Sequence, residues 1–412
     1  MQKKLIALAV AGLASTGAFA QANVTVYGVA DATFDVVKVG GDAVQELGNT
    51  TRVSTNSSYV GFKGAEALGN GLTAVFQVES AVGFENAGTL GATRDSFVGV
   101  SSSSFGTVVL GTLTGPTRAL GGAVDVNSGS TGIGANAGLI GKLGNALLNS
   151  TTTTGSYGAP GAYYLNSSGA IAQGNAASES CDRSSTCVSI FDNRWKNAVA
   201  YVSPSFAGLS ATVAYVANEN KNFRGASTSS NTTGYDLGLK YANGPIMAAV
   251  TYNAVSLGNF VANTAGGTDV SNFRIGGSYD FGMATIRALF DRTRGDHLDS
   301  NLNTATQNVF GLGGTFNVTP AGKIIGQFYY ADDLKANGTD VKDSGAKLFE
   351  IGYEHSLSKR TILKAVYANL NNDKQAAYDF GINSVGINPS TGTLNTAGAT
   401  LQGIQLGLRH SF

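Results

Sequence analysis

Residues 235–252 read YDLGLKYANGPIMAAVTY, which is two alternating runs on either side of an Asn-Gly-Pro turn. In the first run Asp236, Gly238 and Lys240 fall between large apolar residues, and the second run ends on Tyr252. A period of two is typical of a β-strand that has one apolar face and one wet face. The stretch therefore predicts an antiparallel hairpin.

The same alternation recurs in consecutive segments from Arg194 to the end of the chain, and each segment finishes its apolar face on an aromatic residue. These aromatics are Tyr201, Tyr215, Tyr241, Tyr252, Tyr279, Phe290, Phe316, Tyr330, Tyr353, Tyr367 and Phe412. In antiparallel strands they fall at two opposite rims in turn, as do the aromatic girdles that flank the lipid-facing band of a membrane barrel. A soluble sandwich also alternates, but it has no reason to place aromatics at both rims. The pattern favours a transmembrane β-barrel.

The N-terminus predicts export. Lys3 and Lys4 precede an apolar stretch at positions 5–12, and Ala18-Phe19-Ala20 is a small-x-small cleavage site. Residues 1–20 are therefore predicted to be a secretory signal peptide. No run of about 18 apolar residues follows, so the sequence predicts no membrane-spanning helix. A chain that crosses lipid without helices must close into a barrel, because lipid cannot satisfy free backbone groups.

Alternation and turn residues together predict sixteen strands in one domain over residues 21–412. The predicted strands are Val24–Val37, Val53–Ala65, Leu72–Gly83, Thr93–Ser102, Thr107–Leu113, Arg194–Ser203, Leu209–Asn218, Thr233–Ala242, Ile246–Ala254, Ser271–Asp280, Met283–Arg292, Gln307–Asn317, Lys323–Asp332, Ala346–Ser356, Thr361–Asn369 and Leu401–Phe412. Short turns alternate with long loops that are rich in Asn, Gly, Ser and Thr. An outer-membrane barrel has this asymmetry, with short periplasmic turns and long extracellular loops.

One connection, residues 114–193, is far longer than the others and lacks alternation. Loops of this length are usually functional or disordered, and a barrel of about sixteen strands encloses an aqueous lumen. We expect this third loop to fold inward and narrow the lumen. Its two cysteines, Cys181 and Cys187, predict a disulfide in an oxidising periplasm. A metal pair is the alternative, although no histidine lies nearby.

Composition and motifs argue against other functions. The chain has 27 basic and 27 acidic residues; removal of Lys3 and Lys4 leaves 25 and 27, a net charge of −2. Nucleic-acid-binding proteins usually carry an excess of positive charge, which this chain lacks. The histidines His297, His355 and His410 lie apart, and no Gly-x-Ser-x-Gly motif occurs. The glycine-rich stretch 138–142 lacks the Ser or Thr of a phosphate loop. We therefore expect no enzymatic activity, cofactor or metal.

The sequence resembles the trimeric general porins of Gram-negative outer membranes, in their β-proteobacterial branch. The segments that carry the resemblance are VTVYGVAD at 24–31, GFKGAEALGNGL at 61–72, FVGVSSSSFGTVVLG at 97–111, YVSPSFAG at 201–208 and LGLRHSF at 406–412. They match strands and turns from the first to the last of that family. The resemblance covers nearly the whole mature chain apart from the long loops.

The resemblance implies a water-filled homotrimer in which basic side chains on the barrel wall face acids on the third loop. The residues that correspond on the wall are Lys63, Arg94 and Arg194. Lys196 joins them because it lies on a predicted strand that flanks the long loop, and Asp125 is the candidate opposing charge because it is the only acid in the first half of that loop. Tyr59 and Thr112 stand where the family often has arginine, so the expected basic ladder is thinner here. The implied function is passive passage of ions and small hydrophilic solutes. The alternatives are a surface adhesin or other ligand-binding barrel, and a solute-specific channel, which would need a run of inward aromatics that the sequence does not predict.

The resemblance also implies how the protein is assembled. Phe412 ends the chain as a free aromatic terminus, which in this family is the signal read by the outer-membrane assembly machinery. Gly28, Ala30 and Ala32 are small residues that would allow close approach at a trimer contact. The expected partners are two further copies of the chain, outer-membrane lipids, periplasmic chaperones and the assembly machinery.

Overall fold

The computed structural model describes residues 24–41, 46–85, 94–143, 163–165, 171–173, 190–192, 194–217, 229–259, 269–296, 304–376, 378–385 and 398–412. The predicted signal peptide at 1–20 and the predicted disulfide of Cys181 and Cys187 lie outside these residues. None of the described helices is long and apolar enough to cross a membrane.

Sixteen strands form the barrel. They are β1 Thr25–Gly41, β2 in two pieces at Leu47–Thr55 and Tyr59–Gly69, β3 Leu72–Ala81, β4 Ser96–Ser102, β5 Gly106–Thr114, β6 Arg194–Val202, β7 Leu209–Val216, β8 Ser229–Asn243, β9 Ile246–Asn259, β10 Asp269–Asp280, β11 Ala284–Asp296, β12 Thr304–Asn317, β13 Gly322–Ala331, β14 Ala346–Ser356, β15 Thr361–Asn372 and β16 Ala399–Ser411. The predicted strand number and order are confirmed.

Every strand pairs antiparallel with the next, and the first pairs with the last. The closing ladder runs from Val29 opposite Ser411 to Gly41 opposite Ala399. Closure leaves no free edge, which is the condition for a sheet to lie in lipid. The predicted transmembrane barrel is confirmed.

The two faces of the sheet are inverted relative to a soluble protein. Outward residues such as Leu312 and Leu110 are 60% and 50% exposed, whereas the inward Asp236 and Arg274 are both 0% exposed. The outer apolar face suits lipid, and the buried charges are held by partners inside the barrel. What the alternation predicts as the apolar face is thus the outside of the molecule.

Strand β2 is interrupted where the sequence predicts one continuous strand. The break at Asn56–Ser58 has Ser57 at a φ of 54°. The Ser58 hydroxyl accepts from the Asp31 amide at 2.8 Å, and the Asn56 side chain donates to the Thr33 hydroxyl at 2.9 Å. Side-chain hydrogen bonds therefore replace the backbone bonds that the ladder loses at the break. The polar residues here are compatible with a continuous strand, so their sequence does not reveal the kink.

Several strands extend further toward the long loops than predicted. Strand β9 continues to Asn259 instead of Ala254, and β11 continues to Asp296 instead of Arg292. Beyond the lipid band both faces meet water, so the apolar alternation stops while the backbone ladder goes on. The pattern marks the membrane-embedded part of each strand and not its end.

The described part of the third loop folds into the barrel, as predicted. It enters through helix α1, Pro116–Val124, which begins with proline in its first turn, a position that needs no amide donor. The buried face of α1 consists of Thr117, Leu120, Gly121 and Val124, and it contacts β8, β9, β10 and β11. A short 3-10 turn at Asn136–Gly138 follows.

A second loop also folds inward, and no pattern in the sequence predicts it. It follows β15, and its side chains Tyr378 and Phe380 are 0% and 2% exposed. They join Leu139 and Ile140 of the third loop in one hydrophobic cluster. Residues 378–385 and the third loop are thus packed together inside the barrel.

Candidate functional site

The third loop is hydrogen-bonded to one side of the lumen wall. The Val126 amide donates to Gln327 on β13 at 3.3 Å, and the Ser128 hydroxyl donates to Glu354 on β14 at 2.6 Å. The Ile133 amide donates to Gln405 on β16 at 3.0 Å. The described part of the loop therefore follows the wall from β8 round to β16.

Asp125, the predicted loop acid, is turned into this wall. It follows the last residue of α1 and is only 5% exposed. Its carboxylate accepts from the amides of Asn127 at 2.8 Å and Asn136 at 2.7 Å. The side chain of Asn127 bridges Asp125 to Glu350 on β14, at 3.0 Å and 2.9 Å. The carboxylate is thus a fastening point of the loop, and it forms no ion pair with Arg94 or Arg194.

Burial raises the pKa of Asp125, although the hydrogen bonds from Asn136 and Asn127 act in the opposite direction. The folded loop therefore holds a proton on this carboxyl more tightly than an unfolded chain would. We therefore expect the hold of the loop on the wall to weaken as the pH rises from the usual aspartate pKa toward the raised pKa of the folded state. Whether Asp125 also influences ion preference stays a prediction.

Arg94 and Arg194, the predicted wall arginines, are paired with acids close to them on the wall. Arg94 lies two residues before β4, and Arg194 is the first residue of β6. Arg94 Nε lies 3.3 Å from a carboxylate oxygen of Glu79 on β3. Arg194 Nε lies 3.0 Å from Asp95, which also accepts from the Thr114 hydroxyl at 2.9 Å. Each arginine uses its Nε in these ion pairs.

Two inward tyrosines support the basic side chains. The Arg94 guanidinium lies 4.5 Å from the centre of the Tyr59 ring, and the Lys63 ammonium lies 4.7 Å from the centre of the Tyr27 ring. These are cation–π distances. Tyr59 thus stands where the family often has arginine and orients the neighbouring Arg94. Lys63 itself is exposed.

Arg118 on α1 is a third basic residue that sequence reasoning missed. It is half-buried and interacts electrostatically with Arg94, Arg194, Asp95 and Asp192. Burial, reinforced by the repulsion from Arg194 and Arg94, lowers the pKa of Arg118 to about 10, so it stays charged at neutral pH. Within the described part of the chain Arg118 forms no ion pair.

The open side of α1 carries Arg118 together with small residues. Ala119 and Ala123 are exposed there, and Gly122 is half-buried. The described helix therefore presents a positive charge and no acid to the lumen, next to Arg94 and Arg194. The expected arrangement had acids on the loop.

Lys196, the fourth predicted wall residue, is exposed and lies beside an irregularity in β6. The register with β5 shifts between Gly111 and Leu113, and Asn197 has a φ of 53°. The shift inserts an extra residue into β6. Strict alternation therefore does not tell whether the Lys196 side chain points into the lumen or outward. Its place in the pore stays a prediction.

Comparison with known proteins now identifies the family. The sequence model of the Gram-negative porin family matches residues 7–375. The chain is a Gram-negative porin. It is similar to outer membrane porin protein 32 of Delftia acidovorans, with 31% identity over 100% of both chains. It is also similar to the major outer membrane protein P.IB of Neisseria lactamica, with 27% identity over 88% of this chain and 91% of the relative.

A solved structure agrees with the fold. The anion-selective porin from Comamonas acidovorans superposes with a TM-score of 0.70 at 25% identity, covering 95% of this chain and 100% of that one. The protein is thus an outer-membrane diffusion porin, a water-filled channel of the β-proteobacterial branch. The resemblance stated from the sequence, the channel function and the outer-membrane location are confirmed.

In this porin the structure brings together Arg94, Arg194 and Arg118, with Lys63 nearby and Asp125 apart. Glu79 and Asp95 complete the cluster, and the sequence offers a signal for both: Asp95 follows Arg94 directly, and Glu79 lies on the predicted strand just before it. The sequence offers no such signal for Arg118, because the third loop lacks the alternation that would predict which side chains face the lumen.

Proposed function

We propose that this porin favours anions and that the arginine cluster of Arg94, Arg118 and Arg194 is the reason. Three arginines against Glu79 and Asp95, the two acids that pair with them, give a net charge of 3 − 2 = +1. Asp192, the other acid near Arg118, is paired with Arg274. Arg118 carries the excess, because it is the one member without an ion pair among the described residues. The related porin from Comamonas acidovorans is anion-selective, which supports the same preference here.

The mechanism is passive. A cluster of fixed charges in a narrow aqueous zone attracts ions of the opposite sign and orients dipolar solutes, and selectivity filters act by such close-range electrostatics. The ion pairs hold Arg94 and Arg194 by one nitrogen each, and the Tyr59 ring supports one face of the Arg94 guanidinium. The remaining donors of each guanidinium are then available to a passing anion.

Replacing both Arg94 and Arg194 by serine should change the ion preference of the channel from anions to cations. The local charge would change from +1 to 1 − 2 = −1, so the reversal potential in a salt gradient should move to the cation side. The shift should shrink at high salt, where the Debye length falls from about 10 Å at 0.1 M to about 3 Å at 1 M. Planar-bilayer recording of the purified porin measures both effects.

Two matched variants sharpen this test. Arg118→Ser alone should bring the local charge to 2 − 2 = 0 and abolish most of the preference. Arg294→Gln removes an exposed arginine that pairs with Asp296 at the outer end of β11, and it should have little effect. Unchanged reversal potentials in the double serine variant would contradict the assignment of the constriction. Asp125→Asn should move the potential toward anions if its charge reaches the pore.

We also propose that the porin is a homotrimer, with the outer faces of β1 and β16 at the contact. Ala30 and Ala32 pair there with His410 and Leu408. Their small side chains protrude little from the outer surface, which allows a neighbouring copy to approach closely. Gly28 is already covered by the ring of Phe412, since a Cβ on Gly28 would lie 2.5 Å from that ring. We expect a species that resists detergent until boiled. A monomeric mass by light scattering in mild detergent would contradict the trimer.

A further inference from the structure

Arg274 on β10 binds both ends of the third loop. Its NH1 donates to the Thr117 carbonyl at 2.8 Å, near the start of α1. NH1 and NH2 also donate to the two oxygens of Asp192, at 3.1 Å and 3.2 Å. Asp192 lies just before β6, where the loop returns to the wall. The guanidinium is 0% exposed, so these bonds are not screened by solvent.

Asp291 on β11 fixes the guanidinium from the side and adds a third attachment. Arg274 Nε donates to one oxygen of Asp291 at 2.7 Å, and the other oxygen accepts from the Gly141 amide at 2.9 Å. Gly141 lies in the middle of the loop. Entrance, middle and exit of the third loop therefore meet at one pair of wall residues.

The loop is shaped to fit this pair. A Cβ placed on Gly121 of α1 would lie 2.6 Å from Arg274 NH1 and 3.2 Å from Asp192 Oδ1. Only glycine allows the helix to rest on the guanidinium at this distance. Next to it, the Thr117 hydroxyl donates to Asp236 on β8 at 2.6 Å.

We propose that Arg274 is the positioning residue that keeps the channel open, by clamping the third loop against the wall of β8–β11. An arginine suits this role because its planar fork donates in several fixed directions at once, which lysine cannot do. Without the clamp both ends of the loop gain freedom inside the lumen. The loop then obstructs the current for part of the time.

Single-channel recording of the assembled porin tests the clamp. Arg274→Gln should shorten the open time and add sub-conductance states. Arg274→Lys keeps the charge without the fork, and it should resemble the glutamine variant more than the wild type. Wild-type open times in Arg274→Lys would overturn the positioning role, because charge alone would then suffice.

Lys364→Gln is the matched control. It removes a buried wall ion pair, 2.6 Å between Lys364 and Asp31, that does not involve the ends of the loop. Its open times should equal those of the wild type. If Lys364→Gln shortened the open time as much as Arg274→Gln does, the proposal would be overturned.

Asp192→Asn keeps the proposal falsifiable should Arg274→Gln fail to assemble. It changes only the loop side of the clamp and leaves the Arg274–Asp291 pair of the barrel intact. It should shorten the open time in the same direction. Stable trimers of Asp192→Asn with wild-type open times would overturn the clamp on their own.

Discussion

Deleting Phe412 is expected to remove nearly all of the porin from the outer membrane of cells that express it. The residue completes the seam of the barrel: its amide donates to the Gly28 carbonyl at 3.1 Å, and its carbonyl accepts from the Gly28 amide at 3.1 Å. Its ring covers the outer side of Gly28. Loss of the residue opens the end of the ladder between β1 and β16 and exposes strand edges to lipid.

Two explanations of this loss can be separated. If the assembly machinery reads the terminal aromatic, the truncated chain should still fold in detergent while failing in cells, and the Phe412→Tyr variant, which keeps an aromatic residue there, should insert normally. If the seam itself is decisive, the truncated chain should also fail to fold in detergent. Gly28→Val should fail as well, because its side chain would collide with the Phe412 ring and with the Tyr59 carbonyl. Surface levels measured by protease accessibility report insertion. Normal levels of the truncated chain would show that Phe412 has neither role.

The sequence carries the fold of this porin unusually clearly because lipid constrains the outer face. Leu312 and Phe316 must be apolar on the outside, while the inward positions between them face water or the loops. Period two therefore persists through every membrane-embedded strand. It does not reveal kinks. The residues at the break near Ser57 and at the extra residue near Asn197 are polar, and a polar side chain at these positions is compatible with either face of the strand.

The candidate site was less predictable, because its deciding residues lie on loops. Nothing in the sequence around Asp125 shows that the carboxylate is tied to Asn127 and Asn136 and turned toward the wall. Arg118 is placed by the packing of α1 against β10, which depends on Arg274 far along the chain. The inward position of Tyr378 depends on a cluster shared by two loops. Such contacts join residues that no local periodicity connects.

Replacing Leu312 by arginine is expected to lower the free energy of unfolding of the barrel by about 2–4 kcal/mol, the cost of a cation on the lipid face near the bilayer midplane. Leu312 is 60% exposed on the outer face of β12, between Phe310 toward the outer rim and Phe316 toward the turn side. This places it in the middle of the lipid band. Its side chain pairs with Phe328 on β13 and Ala288 on β11, which offer no acid to an arginine.

Urea titration of the porin refolded into phospholipid vesicles measures this loss. The fluorescence of Trp195, the single tryptophan, reports unfolding, because its side chain is 3% exposed and donates to Asp236 inside the barrel at 3.1 Å. Leu357→Arg is the matched control: Leu357 is 56% exposed but lies in the short turn after β14, outside the lipid band. A charge near the interface costs only about 0–1 kcal/mol. Equal destabilisation by the two substitutions would mean that Leu312 does not face the bilayer centre, since depth in lipid is the property that separates them.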